Sequence, residues 1–159
     1  MPQVELFERR MTIAAPPAVV FDCFTDPELL VQWLGRSATL DARIGGTYAL
    51  SMANGDTTRG RYVEVDRPRR LVFTWGWDSG AFGMAPGSSV VEVVLEPDGP
   101  GTLLHMLHRG LVSEEAVNAH TAGWTHYLAR LAARAEGRDP GPDLWANRPH
   151  DAPLPYPTS

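Results

Sequence analysis

The spacing of apolar positions changes from a two-residue to a helical step and back along the chain, and each change marks an element. From Val4 to Ile13, Phe7, Met11 and Ile13 alternate with charged neighbours, as in a strand with one buried face. Ala15-Pro16-Pro17 ends that strand, and a proline fits the first turn of a helix, where its missing N–H costs nothing. Val20, Phe21 and Phe24 then recur at helical spacing. Asp26-Pro27 closes this short helix and caps a second, whose Leu29, Leu30, Trp33 and Leu34 form an apolar stripe before Gly35 stops it.

From Ser37 to Gly110 the pattern becomes short extended runs between turn residues, which predicts an antiparallel meander. Strands are expected near 37–43, 46–53, 57–66, 69–77, 88–96 and 101–109. The breaks fall at Gly45-Gly46, Asn54-Gly55-Asp56, Arg67-Pro68 and Pro97-Asp98-Gly99-Pro100, with Asn-Gly the strongest hairpin signal. Residues 78–87, DSGAFGMAPG, form a longer Gly-rich loop with freedom to move. Ser113 then caps a long helix with Glu114 and Glu115 in its first turn. Val117, His120, Thr121, Trp124, Tyr127, Leu128, Leu131 and Ala135 line one face of it, and Gly137 ends it. Residues 138–159 hold six prolines, so they neither prolong the helix nor enter a sheet centre. Leu144, Trp145 and Tyr156 are apolar anchors there, and the expectation is a tail that wraps onto the body or a partner chain. The domain reading is therefore one body, 1–137, and a Pro-rich tail, 138–159.

Composition adds mostly exclusions. At 159 residues, with 43% apolar and 21% charged residues, the chain is expected to be one globular domain. It has no run of 18 apolar residues, so no membrane span is expected, and MPQVELFERR does not read as a secretory signal. The cytoplasm is the default, and the single cysteine, Cys23, agrees with a reducing compartment. A net charge of -5 argues against nucleic acid as a partner. Arg59, Arg61, Arg67, Arg69 and Arg70 lie close together, but on strand and turn positions that read as a solvated hairpin end. Every basic residue is arginine, so Schiff-base chemistry and a P-loop lysine are both absent.

Strand parity puts Thr102, Leu104, Met106 and His108 on one face of the last strand and Leu103, His105 and Leu107 on the other. His108 then points inward, and His120 on the long helix approaches from across. Such a pair suits an acidic head group or a proton transfer, or is an ordinary hydrogen-bonded pair at the end of a core. His105 and His108 face opposite ways, and His120 and His126 diverge on the helix, so no metal is expected. No G-x-S-x-G or G-x-G-x-x-G motif occurs, and no cofactor is expected. The positive signal is aromatic. Leu71, Phe73, Trp75 and Trp77 share a strand face, and Trp33, Tyr48, Tyr62, Trp124 and Tyr127 lie on elements lining the same space, as pocket wall or as solid core. Outward-facing Leu103 and Leu107 call for a cover, and a homodimer interface or the tail would supply it.

Ala15-Pro16-Pro17-Ala18-Val19-Val20-Phe21, followed by Thr25-Asp26-Pro27-Glu28 and Trp33, resembles the opening of START-like (SRPBCC) domains related to the activator of the heat-shock-protein-90 ATPase. So do Gly45-Gly46-Thr47-Tyr48, Gly60-Arg61-Tyr62-Val63-Glu64-Val65, Arg70-Leu71-Val72-Phe73-Thr74-Trp75, Gly101-Thr102, His108-Arg109-Gly110 and Gly123-Trp124, in order, over about residues 5–137. The resemblance implies a bacterial single-domain member with an α+β helix-grip fold: a curved antiparallel sheet of about seven strands, two short helices, and a long C-terminal helix packed across it. It also implies a groove between sheet and helix that holds a small hydrophobic or aromatic molecule, without a universal catalytic residue. The candidate ligand contacts are Trp33, Tyr48, Tyr62, Phe73, Trp75, Trp77, Met106, His108, His120, Trp124 and Tyr127. Two further readings stand beside this one. The first is an enzyme of the polyketide cyclase or aromatase type, with His108, His120 or Glu64 as acid or base. The second is a protein-interaction or chaperone-regulating domain. Binding without catalysis is the expectation.

Overall fold

The computed structural model describes residues 6–52 and 54–145, so Val4, Tyr156 and the end of the tail lie outside the described residues. Strands β1 (Leu6–Ile13), β2 (Ser37–Leu40), β3 (Thr47–Ser51), β4 (Thr57–Asp66), β5 (Arg70–Trp75), β6 (Ser89–Asp98) and β7 (Gly101–Arg109) form one sheet in the order β1-β7-β6-β5-β4-β3-β2. All pairings are antiparallel. Helices α1 (Pro17–Thr25) and α2 (Pro27–Leu30) carry the chain from the β1 edge to the β2 edge. Helix α3 (Glu114–Ala135) buries His120, Trp124, Leu128 and Leu131 on the side that meets the inner sheet face. This is the α+β helix-grip arrangement.

The strand limits differ from the sequence reading where the backbone makes close contacts. Expected to reach residue 43, β2 stops at Leu40, because Arg43 N–H turns back onto the Asp41 carbonyl and Gly46 passes where a Cβ would lie 1.9 Å from that same oxygen. Likewise β5 stops at Trp75. A Cβ on Gly76 would lie 1.7 Å from the Ala85 carbonyl, so the chain there packs against its own loop, and Trp77 keeps only an isolated bridge to Thr58. β6 instead runs through Pro97 to Asp98. Its ladder with β5 ends at Val94, so the missing proline N–H faces no strand. The second helix is one turn rather than two, with turns carrying Val31 to Leu34.

Capping follows local chemistry. Asp26 accepts from Glu28 N–H at 2.9 Å and starts α2, and Ser113 accepts from Ala116 N–H at 3.0 Å and starts α3. Glu114 and Glu115 sit at the positive end of α3 and Arg134 in its last turn. Side-chain parity is as the strands require. Thr102, Leu104, Met106 and His108 are buried on the inner face, while Leu103, His105 and Leu107 are half-buried on the outer face. Four arginines of the cluster are held in ion pairs, Arg59 with Asp78, Arg67 with Asp22, Arg69 with Asp66, and Arg70 with Glu64 and Glu92, and Arg61 donates to the Gly45 carbonyl at 3.2 Å. Glu64 is thus held at 2.9 Å by Arg70, in an ion pair.

Candidate functional site

The inner face of β3, β4 and β5 carries aromatic residues, and α3 meets them at Trp75. Tyr48 stacks on Phe73 at 4.4 Å, Tyr62 meets Tyr48 edge-on at 5.8 Å, and Trp75 meets Trp77 edge-on at 5.5 Å. From α3, Trp124 lies 5.2 Å from Trp75. Edge-on and offset contacts of this kind suit ring quadrupoles and leave a continuous apolar wall. Met106, beside His108 on β7, is fully buried under the same helix. Trp33 and Tyr127 are buried in the same core but make their ring and hydrogen-bond contacts elsewhere. Trp33 packs edge-on against Phe24 and donates its indole N–H to the Cys23 carbonyl at 3.0 Å, whereas Tyr127 faces the tail.

The structure brings His108 and His120 together at 5.1 Å, rings nearly perpendicular. Their hydrogen bonds fix their protonation. Trp124 Nε1–H donates to His108 Nδ1 at 3.0 Å, and an indole nitrogen can only donate. The neutral ring therefore carries its proton on Nε2 and gives it to Ser89 Oγ at 2.8 Å, while Ser89 donates to the Trp75 carbonyl at 2.7 Å. On the other ring, Trp75 and Trp77 both point their indole N–H groups at His120 Nε2, at 3.3 and 3.2 Å. His120 Nδ1 is then the protonated nitrogen and donates to the Ala116 carbonyl at 2.8 Å. Burial, and the neighbouring His120, hold the His108 imidazole well below its ordinary value.

Ser89 and His108 look like a nucleophile and its base, but the proton inventory runs the wrong way. A base would have to accept from the serine through Nε2, and that nitrogen is the donor. His108 and His120 instead tie three indole N–H groups into the core, Trp124 on the first and Trp75 and Trp77 on the second. Ser89 escaped the sequence reading, although a polar residue in phase with Val91, Val93 and Leu95 on a buried face was the available signal. Phe82 was also missed. It sits in a 3-10 turn, Ala81–Gly83, with a φ of 59°, and its ring meets His120 edge-on at 5.5 Å. Met84, fully buried, pins the same loop.

Two inner-face hydroxyls stand outside this network. Thr58 Oγ1 and Tyr62 OH, both on β4, are buried without a hydrogen-bond partner. Burial and the nearby Asp41 carboxylate push the Tyr62 phenol up, so it remains a donor.

A second polar joint ties the start of the tail to α3. Asp143 accepts from His126 Nε2 at 2.9 Å, Tyr127 OH at 2.8 Å and Trp145 N–H at 2.9 Å. Burial raises the Asp143 carboxyl, but these hydrogen bonds outweigh it and hold the group below its ordinary value. The Trp145 ring stacks on His126 at 4.5 Å, and Arg130 bonds the carbonyls of Trp33, Pro140 and Gly141. Trp145 thus anchors the tail as its apolar character suggested, whereas Leu144 is exposed. Among the described residues, no cluster of three His, Cys, Asp or Glu side chains could hold a metal, and no helix is long and apolar enough to cross a membrane.

Residues 14–136 match the family model described as activator of Hsp90 ATPase homolog 1-like protein. The chain belongs to that family. An AHSA1-like protein from Rhizobium etli, known from its solution structure, is 41% identical, with a TM-score of 0.70 over 94% of this chain and 92% of that one. DynU16, a protein of the dynemicin biosynthetic locus, shares the fold at 23% identity and a TM-score of 0.73, over 87% of this chain and 50% of its own. This AHSA1-like chain thus spans half the length of DynU16. An Hsp90 activator from Plasmodium falciparum shares the fold at 22% identity and a TM-score of 0.68, over 82% and 95% of the two chains. No curated protein matches this AHSA1-like chain.

Proposed function

We propose that the protein binds a small hydrophobic or aromatic molecule between the inner sheet face and α3. The observation that carries the proposal is the run of buried rings from Tyr62 through Tyr48, Phe73 and Trp75 to Trp124, closed by α3. Among the described residues, the buried set holds no arginine, aspartate or glutamate, so an apolar guest meets no stranded charge. The rings touch one another, and a guest therefore takes its place by turning rings aside or by moving the Phe82 loop.

The polyketide cyclase reading is disfavoured by the same geometry. His108 and His120 are neutral and committed on both nitrogens, and Glu64 is neutralised by Arg70. The chaperone-regulating reading has the fold of the Plasmodium activator in its favour and no surface feature besides. We carry the homodimer forward with the binding proposal, because Leu103 and Leu107 are half-buried on the outer face. Cytoplasmic residence is carried with it too.

The test is thermal denaturation against a library of naphthalenes, steroids, flavonoids and fatty acids, with native mass spectrometry of the hits. A ligand specific to the folded state raises Tm by mass action, by about 2.7 kcal/mol of stability at a hundredfold excess over Kd. The expected result is a dose-dependent rise for at least one apolar class at one-to-one stoichiometry. A flat response across the library would refute the proposal.

A further inference from the structure

We infer that the molecule held between sheet and α3 is uncharged and is anchored through a hydrogen-bond acceptor by the Tyr62 hydroxyl of β4 rather than by the two histidines. This rests on the binding proposal above and narrows it to a chemical class.

The polar atoms of the inner face divide into two groups. His108, His120 and Ser89 have a partner for every proton, so a ligand atom that bonded either imidazole would have to displace an indole N–H, the Ser89 hydroxyl or the Ala116 carbonyl. Thr102 is likewise spent, donating to the Ala15 carbonyl at 2.7 Å. Tyr62 OH and Thr58 Oγ1 are different. Each lies on the inner face of β4, each residue is at most 1% exposed, and each oxygen lacks a partner. Native proteins rarely leave buried hydroxyls unsatisfied, because the lost hydration is not recovered, and such a group calls for a guest atom.

The surroundings set the sign of that guest. A phenol surrounded by Tyr48 and Phe73 offers a hydrogen, which suits a carbonyl, ether or similar acceptor. A carboxylate or phosphate would need a cation, and among the described residues none is buried on this face. The charge that acts on Tyr62 is negative, the Asp41 carboxylate, and it would repel an anion. Neutral imidazoles at the other end of the ring wall supply no positive charge either. The inferred ligand class is thus a flat apolar body bearing one neutral acceptor.

Three probes of matched shape test this: 2-acetonaphthone (neutral acceptor), 2-ethylnaphthalene (no acceptor) and 2-naphthoate (anion), titrated at pH 7.5 into the wild type and Tyr62→Phe by intrinsic tryptophan fluorescence. The wild type is expected to prefer the ketone over the hydrocarbon by about tenfold, the scale of one buried hydrogen bond, and to bind the anion weakest. Tyr62→Phe is expected to erase the ketone preference while leaving hydrocarbon affinity within about twofold. Without ligand, the same variant is expected to hold or raise its Tm, because it removes an unpartnered hydroxyl. A preference for naphthoate, an unchanged ketone-to-hydrocarbon ratio in Tyr62→Phe, or a fall in ligand-free Tm on losing the hydroxyl would overturn the inference while leaving the binding proposal intact. Binding of none of the three probes, together with a flat response across the wider library, would overturn both.

Discussion

Replacing His120 with phenylalanine is expected to destabilise the protein by about 2–5 kcal/mol, a fall in Tm of about 5–15 °C, although ring size and burial are nearly conserved. The loss comes from acceptors. His120 Nε2 receives the indole N–H groups of Trp75 and Trp77, and all three residues are at most 5% exposed. Each indole left without an acceptor in the core costs about 1–3 kcal/mol. Thermal and urea denaturation monitored by circular dichroism would read the change. A loss below about 1 kcal/mol would mean that the indoles find water or another acceptor, and the closed network described above would be wrong.

Acidification gives the second large effect. Burial and the proximity of His120 depress the His108 pKa in the folded state, while the unfolded ring returns to its ordinary value near 6.5. Below that value the unfolded chain takes up a proton that the folded chain refuses. Stability from this group is therefore fully present above pH 6.5 and is lost as pH falls towards the folded pKa. The slope approaches about 1.4 kcal/mol per pH unit for one proton. The carboxylates held low in the fold, Asp78, Glu136 and Asp143, lose their contributions only at lower pH, around and below their ordinary values. Urea midpoints measured from pH 7.5 to 4.5 are expected to fall steadily, and His108→Gln to flatten the dependence. A wild-type midpoint that is constant down to pH 5 would contradict a neutral buried imidazole.

The order of elements was legible because strand and helix spacing is a local property of the chain. Alternation placed His108 beneath α3, and the helical stripe placed His120 and Trp124 opposite it. Close backbone approach was not legible, since nothing near Gly46 or Gly76 in the sequence announces the carbonyl that each must pass. The role of the histidines was readable only in part. Their meeting follows from parity, but the direction of each hydrogen bond depends on where three indoles point, which is a tertiary fact. Trp33 and Tyr127 show the same boundary. Both lie on apolar stripes, yet one is drawn to Phe24 and the other to Asp143, a tail residue whose charge gives no sign of which helix residue it meets. Ser89 and the unpartnered Tyr62 hydroxyl carry no signature in one sequence beyond a polar atom on a buried face.

The binding proposal meets its most direct test at the indoles themselves. The chain has five tryptophans, so a ¹H–¹⁵N spectrum holds five indole resonances, of which Trp75, Trp77 and Trp124 report the space between sheet and α3 and Trp145 reports the tail. Titration with 2-acetonaphthone is predicted to shift the first three along a common saturating curve and to leave Trp145 in place. Three unmoved core indoles at the solubility limit of the ligand, or movement of Trp145 alone, would contradict a guest held in the grip.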